Sequence, residues 1–174
     1  MEITIKNALT IDVEDWFTSS LALFNAPPSA YGKRPAESVI GNTKKVLKIL
    51  QEYNYKATFF VLATVAEHYP DLVKEIHRQG HEIATHGYFH RLVYQMRPEE
   101  FEEDLVKSVG LIEDIIKEKA IGYRAGYFSI TKKSLWALDI LNKHSIKYDS
   151  SIFPIRRKLY GIPDFSRFAS VVKN

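Results

Sequence analysis

His81-Glu-Ile-Ala-Thr-His-Gly-Tyr-Phe-His90 is the stretch on which the fold turns. Its first half, His81 to Thr85, is a short apolar and β-branched run that predicts a strand. His86 sits just past the end of that strand, and His90 follows four residues later. Two imidazoles so spaced point the same way if the backbone between them makes one helical turn. Neutral imidazole is the commonest metal ligand among side chains that titrate near neutrality. Such a pair needs one or two oxygen ligands to complete a site for a catalytic divalent ion. Candidate oxygens lie far upstream, in the acidic run Asp12-Val-Glu-Asp15.

Working outward, Ala8 to Val13 predicts a first strand that runs from apolar residues into acids, followed by the aromatic pair Trp16-Phe17. Residues 18–36 hold Ser, Asn, Gly and three prolines, and predict a long loop. A helix is expected from Ala36-Glu37-Ser38 to about Tyr53, with Val39, Val46, Leu47, Ile49 and Leu50 as its apolar stripe. Lys56 to Leu62 reads as a buried strand. The next helical stretch begins at Thr64 and breaks at Pro70, which opens a second helix from Asp71 to Gln79, closed by Gly80. Pro98-Glu-Glu starts a long amphipathic helix with acids where the dipole favours them; Leu105, Val109, Ile112, Ile115 and Ile116 form its buried side. Ile121 to Arg124 predicts a fourth strand. Thr131 is the expected N-cap of a helix from Lys132 to Lys143, and Ser145 to Ser150 the fifth strand.

The β-α order recurs about five times with no hairpin signal, which implies a parallel sheet with helices outside. Function in such folds collects at the C-terminal ends of the strands. Asp12, Glu14, Asp15, His86, His90 and Arg124 all fall there.

A chain of 174 residues with mixed charge and a net +3 suits one domain with a real core, here the whole of 1–174. The modest charge argues against nucleic acid as a partner. Arg156-Arg157-Lys158 is the one dense basic patch, and is read as a solvated loop in preference to an anion site. Without cysteine there are neither disulfides nor thiolate metal sites. No apolar run is long enough to span a bilayer. The first six residues lack the core of a signal peptide, so the chain as written is expected in the cytoplasm.

If the first and third strands bring their ends together, two imidazoles and carboxylate oxygens favour zinc, or another borderline divalent ion, over calcium or magnesium. A second acid, off the metal, can accept a proton from water, which suits hydrolysis of an amide or ester. Arg124 would pair with that carboxylate, contact substrate, or form a structural ion pair. His68, His77, His81 and His144 lie on predicted helices or turns without partners, and are expected to face solvent.

Three stretches resemble the polysaccharide deacetylase (NodB-homology) family: Leu9 to Phe17, Thr85 to His90, and Gly122-Tyr-Arg-Ala-Gly126. The Val-Glu-Asp-Trp-Phe variant also resembles a subgroup linked to bacterial exopolysaccharide synthesis. The resemblance implies a distorted (β/α) barrel and a metal-dependent N-deacetylase of a carbohydrate polymer. It implies Asp12 as general base, His86 and His90 as metal ligands, and Arg124 as the residue that orients the base. The family's second acid is a ligand, here Glu14 or Asp15; Glu14 is favoured because some relatives with an acid-x-acid opening use the second acid, and because residues two apart in a strand share a face. Family members usually carry Ala-Pro after the arginine, where this chain has Ala125-Gly126.

Family members continue through further strands, one of which supplies a histidine as general acid. No histidine follows His144 here, so that acid is absent and the barrel is expected to be incomplete. A barrel cut there exposes strand edge and apolar surface, which predicts self-association or a weakly stable monomer. Trp16, Phe17, Tyr88, Phe89 and Tyr127 are candidates to stack on sugar rings, although packing at the barrel mouth explains any one of them alone. Two other readings stand beside the deacetylase: a hydrolase of small cyclic amides or ureides on the same fold, and a non-catalytic carbohydrate-binding remnant.

Overall fold

Five parallel strands make one sheet whose spatial order follows the chain: β1 (Thr10–Val13), β2 (Thr58–Val61), β3 (Glu82–Thr85), β4 (Gly122–Tyr123) and β5 (Tyr148–Asp149). The computed structural model describes residues 7–24, 26–31 and 33–171. The first six residues, and Asn25 and Gly32 of the predicted long loop, lie outside the described residues. The helices are α1 (Trp16–Ser20), α2 (Ser38–Glu52), α3 (Ala63–His68), α4 (Pro70–Arg78), α5 (Pro98–Ile116) and α6 (Trp136–Lys143). A sheet that advances by one strand per β-α unit, always to the same side, is the curved wall of a (β/α) barrel. Here β1 and β5 form its two ends.

The helix-facing side of the sheet buries two apolar clusters. Phe59, Val61, Ile83 and Leu47 belong to the first, against α2, α3 and α4. Tyr123, Ile130, Ala137 and Leu141 belong to the second, against α6. The long helix α5 serves both: Ile112 and Ile116 enter the first cluster, Phe101 and Leu105 the second. Pro70 takes the first turn of α4, where its missing N–H costs nothing. Pro98 does the same for α5, whose start is closed by the Glu100 carboxylate accepting from Arg97 N–H at 2.9 Å.

Three expectations are corrected. The stretch 18–36 is not loop throughout. α1 precedes and enters it, nucleated by the Asp15 carboxylate, and Pro28–Ala30 makes one 3-10 turn. Thr131 does not cap α6, which starts at Trp136; Thr131 to Ser134 instead closes a turn, with Ser134 N–H on Thr131 O at 2.9 Å and Thr131 N–H on Ser134 Oγ at 3.0 Å. His81 does not face solvent. It is 4% exposed, its Nδ1 accepts from Ala57 N–H at 3.3 Å, and its ring packs on Phe59. His68, His77 and His144 are half-buried. Among the described residues, no helix is long and apolar enough to cross a membrane.

Strand register is what places the site. Val13 pairs with Val61, Val61 with Thr85, Thr85 with Tyr123, and Tyr123 with Asp149. The next rung along the sheet is therefore Glu14, Leu62, His86, Arg124 and Ser150. Asp12 lies two residues below Glu14 on β1, and so on the same face.

Leu105 is fully buried where α5 meets the second cluster. Leu105→Ala is expected to destabilise the fold by about 2–5 kcal/mol, read as a lower urea midpoint at unchanged slope.

Candidate functional site

The rung just past the strands holds two imidazoles turned the same way. His86 Nδ1 lies 2.7 Å from Arg124 O, and His90 Nδ1 lies 2.9 Å from Ser19 O. A carbonyl only accepts, so each Nδ1 carries the hydrogen and each neutral ring leaves a lone pair on Nε2. Glu14 Oε2 lies 2.9 Å from His90 Nε2 and 3.6 Å from His86 Nε2. Glu14, His86 and His90 each offer an atom within 4.8 Å of the others. Neither Glu14 Oε2 nor His86 Nε2 has a hydrogen-bond partner, although both are buried. Three acceptors thus converge without a hydrogen atom to share, an arrangement that a cation resolves. Burial, and then the neighbouring His90, push the His86 pKa down to about 4, so its ring is neutral over the physiological range.

The backbone between the histidines is shaped for this. His90 adopts a left-handed conformation at φ +56, which ends the turn and swings its ring back toward His86, ring centroids 4.9 Å apart.

The three acids of the opening run separate. Glu14 joins the imidazoles. Asp15 does not: it is buried, and its carboxylate caps α1, with Oδ1 accepting from Thr18 N–H at 2.6 Å and Oδ2 from Ala36 N–H. Both oxygens are occupied, so Asp15 is no ligand beside Glu14 in this arrangement. Asp12 faces the same cavity and accepts from Arg124 Nη1 at 2.7 Å. Arg124 lies across the Phe60 ring, 4.1 Å from its centroid, and its Nη2 donates to Thr10 Oγ1 at 2.9 Å and Ser150 Oγ at 2.8 Å. Arg124 thus forms an ion pair with Asp12 through Nη1, while Nη2 is held by Thr10 and Ser150. Asp12, Glu14, His86, His90, Tyr127 and Tyr160 are among the residues that line a cavity of about 220 Å³.

Several supporting residues carried no sequence signal. Asp104 on α5 accepts from Tyr88 N–H at 2.8 Å and so holds the turn between the histidines; burial raises its pKa, against the pull of the Tyr88 and Phe89 N–H groups. Ser151 Oγ accepts from Ala125 N–H at 2.7 Å and in turn donates to Asp149, which fixes the peptide whose carbonyl holds His86. Gly126 allows a close approach: a Cβ there would stand 2.8 Å from the His90 ring, which would have to shift. Tyr127 covers the other side of that ring, centroids 4.8 Å apart, and its hydroxyl donates to the same Ser19 carbonyl. Of the aromatic candidates, Tyr88 is 2% exposed and packs under Lys107, so it is core. Phe89 is half-buried against Tyr31, whereas Trp16 and Phe17 are exposed.

Residues 26–148 match the family model for polysaccharide deacetylase. The peptidoglycan deacetylase of Helicobacter pylori is 32% identical over 108 residues, covering 62% of this chain and 36% of that protein. A crystal structure from Mycobacterium smegmatis, provisionally named a polysaccharide deacetylase, superposes with a TM-score of 0.68 at 27% identity over 84% of this chain and 50% of that one. A CE4-family pseudoenzyme from Bacillus anthracis shares the fold at TM-score 0.61 and 19% identity, over 82% of this chain and 41% of that one. The chain thus spans half or less of the length of these relatives.

Two measurements check the electrostatics and the division of labour. Asp15→Ala is expected to cost about 0.5–2 kcal/mol of stability through the lost cap, measured by urea unfolding, whereas Glu14→Gln is expected to cost none. In the metal-free protein, acidification from 6.5 toward 4 protonates His86 in the unfolded chain only, so its contribution to stability falls with pH. Asp149, raised to about 6 mainly by burial, acts in the opposite sense between 3.8 and 6, because the native carboxyl keeps a proton that the unfolded chain releases. Unfolding curves of the parent and His86→Gln across this range isolate the histidine: the variant is expected to lose less stability on acidification.

Proposed function

The chain belongs to the polysaccharide deacetylase family, and on that premise we propose that it is a metal-dependent hydrolase that removes N-acetyl groups from a carbohydrate. The observation that carries this reading is the convergence of Glu14 Oε2 with the Nε2 atoms of His86 and His90, beside a separate carboxylate, Asp12, in one cavity. Two imidazoles and one carboxylate suit zinc among the common divalent ions. When bound, that ion supplies Lewis acidity toward the acetyl carbonyl and lowers the pKa of water.

The residues divide the remaining work. Asp12 is the general base: Arg124 holds its Oδ1, leaving Oδ2 to take the proton of the attacking water and return it to the leaving amine. The guanidinium aims Asp12, and is itself held against the Phe60 ring. The Nδ1 hydrogens of His86 and His90 are committed to main-chain carbonyls, which fixes the tautomer that turns each Nε2 lone pair to the cluster. Tyr127 narrows the cavity on the side of His90.

Metal analysis of protein purified without chelator or added ions is expected to find about one divalent ion per chain. With metal restored, acetate is expected to be released from N-acetylchitooligosaccharide. Asp12→Asn is expected to keep the metal and lower kcat by about 10²–10⁴, whereas Glu14→Ala and His86→Ala lose the metal itself. A folded protein that takes up no divalent ion under any loading condition overturns the proposal.

A further inference from the structure

The loop 153–162 stands at the mouth of the cavity and is built, not slack. Ile162 N–H donates to Phe153 O at 2.9 Å, closing its ends, and Arg157 N–H donates to Tyr160 O at 3.1 Å, closing its tip. Gly161 sits at φ +106, where an added Cβ would lie 2.0 Å from Ile155 O, so only glycine permits the crossing. Ile162 is buried as an anchor. Phe128, Phe153 and Tyr160 form an aromatic triad with centroids 5.4, 5.9 and 5.4 Å apart. Two of the three, Phe128 and Tyr160, are themselves cavity wall. The loop is therefore mounted directly on the site.

Its tip carries Arg156, Arg157 and Lys158, all exposed. Among the described residues none of the three pairs with an acid, and the Arg157 guanidinium lies 5.9 Å from the centroid of the Phe153 ring. The acid that follows the loop, Asp164, is already taken by Lys132 at 2.6 Å. Three adjacent cations on a loop closed at both ends and tip raise the local potential. On the cavity floor Asp12 is already paired with Arg124, and Glu14 belongs to the proposed metal cluster. The free cations of the loop tip are left to attract an anionic group. A polymer with its acetylated sugar in the cavity would meet the rim with a neighbouring unit.

We propose that Arg156, Arg157 and Lys158 form an anion-recognition rim that selects acidic carbohydrate, in which sugars bearing carboxylates neighbour the N-acetylated unit. This goes beyond the solvated-loop reading of the same run, and its activity readout rests on the deacetylase reading above.

The test compares two probes that share N-acetylglucosamine and differ in charge: hyaluronan oligosaccharide, with alternating glucuronate, and N-acetylchitooligosaccharide. Affinity by calorimetry and acetate release are measured on the metal-loaded chain, at low and high salt. The parent is expected to bind the acidic probe roughly tenfold more tightly than the neutral one, the order given by three solvent-exposed ion pairs, with the preference lost at high salt. The combined variant R156Q/R157Q/K158Q is expected to lose the preference while its handling of the neutral probe is unchanged. Equal affinity of the parent for both probes overturns the rim, as does a variant that loses both alike. If neither probe is deacetylated, the hydrolase reading fails, and the calorimetric ratio still decides the rim.

Discussion

Parallel register is the constraint on which the site depends. Glu14, His86 and Arg124 each stand one residue beyond the last paired position of their strands. A parallel ladder sets those residues at one height, and the curvature of the wall turns their side chains inward. β1 and β3 are not neighbours; β2 lies between them, so their backbones are roughly 10 Å apart. Long side chains close that distance. A slip of one residue in β1 would turn Val13 and Asp15 toward the imidazoles and bury Glu14 against the helices. Such a slip is opposed because Ile11 and Val13, which pack with the first cluster, would change faces with it.

Arg124 ties the two halves of the chemistry together. Its guanidinium reaches across Phe60 to Asp12, while its carbonyl receives the Nδ1 hydrogen of His86. One residue thus sets both the direction of a base and the tautomer of a ligand. Behind it, Ser151 and Asp149 hold the following peptide, and α5 reaches from the first apolar cluster to the Asp104 carboxylate under the histidine turn. The site is a layer laid on a supported sheet edge, which is the usual way a (β/α) wall carries function.

Much of this was legible in the sequence because local pattern and global fold agree. Short β-branched runs ending in polar residues gave the strands, Pro98 marked a helix start to the residue, and Pro70 marked one to within a residue. Alternation along β1 puts Asp12 and Glu14 on one face, but periodicity does not show that the ends of β1 and β3 meet; the choice of Glu14 rests first on the resemblance to relatives with an acid-x-acid opening. What was not legible depended on partners distant in sequence. Asp15 looks the equal of Glu14 until Thr18 and Ala36 claim its oxygens. His81 looks exposed until Ala57 and Phe59 surround it. Thr131 fits a capping pattern, but the hydroxyl of Ser134 closes the turn first. Gly126 reads as a departure from the family's proline until the His90 ring is seen in the space a Cβ would fill.

Both imidazoles are oriented by main-chain oxygens, Ser19 O and Arg124 O. A main-chain oxygen survives any exchange of the side chain beside it. Descendants of this chain can therefore drift at position 19 without disturbing the proton arrangement of His90, provided α1 keeps its path. The chemistry of the cluster is inherited through the course of the backbone, where an alignment of letters would not find it.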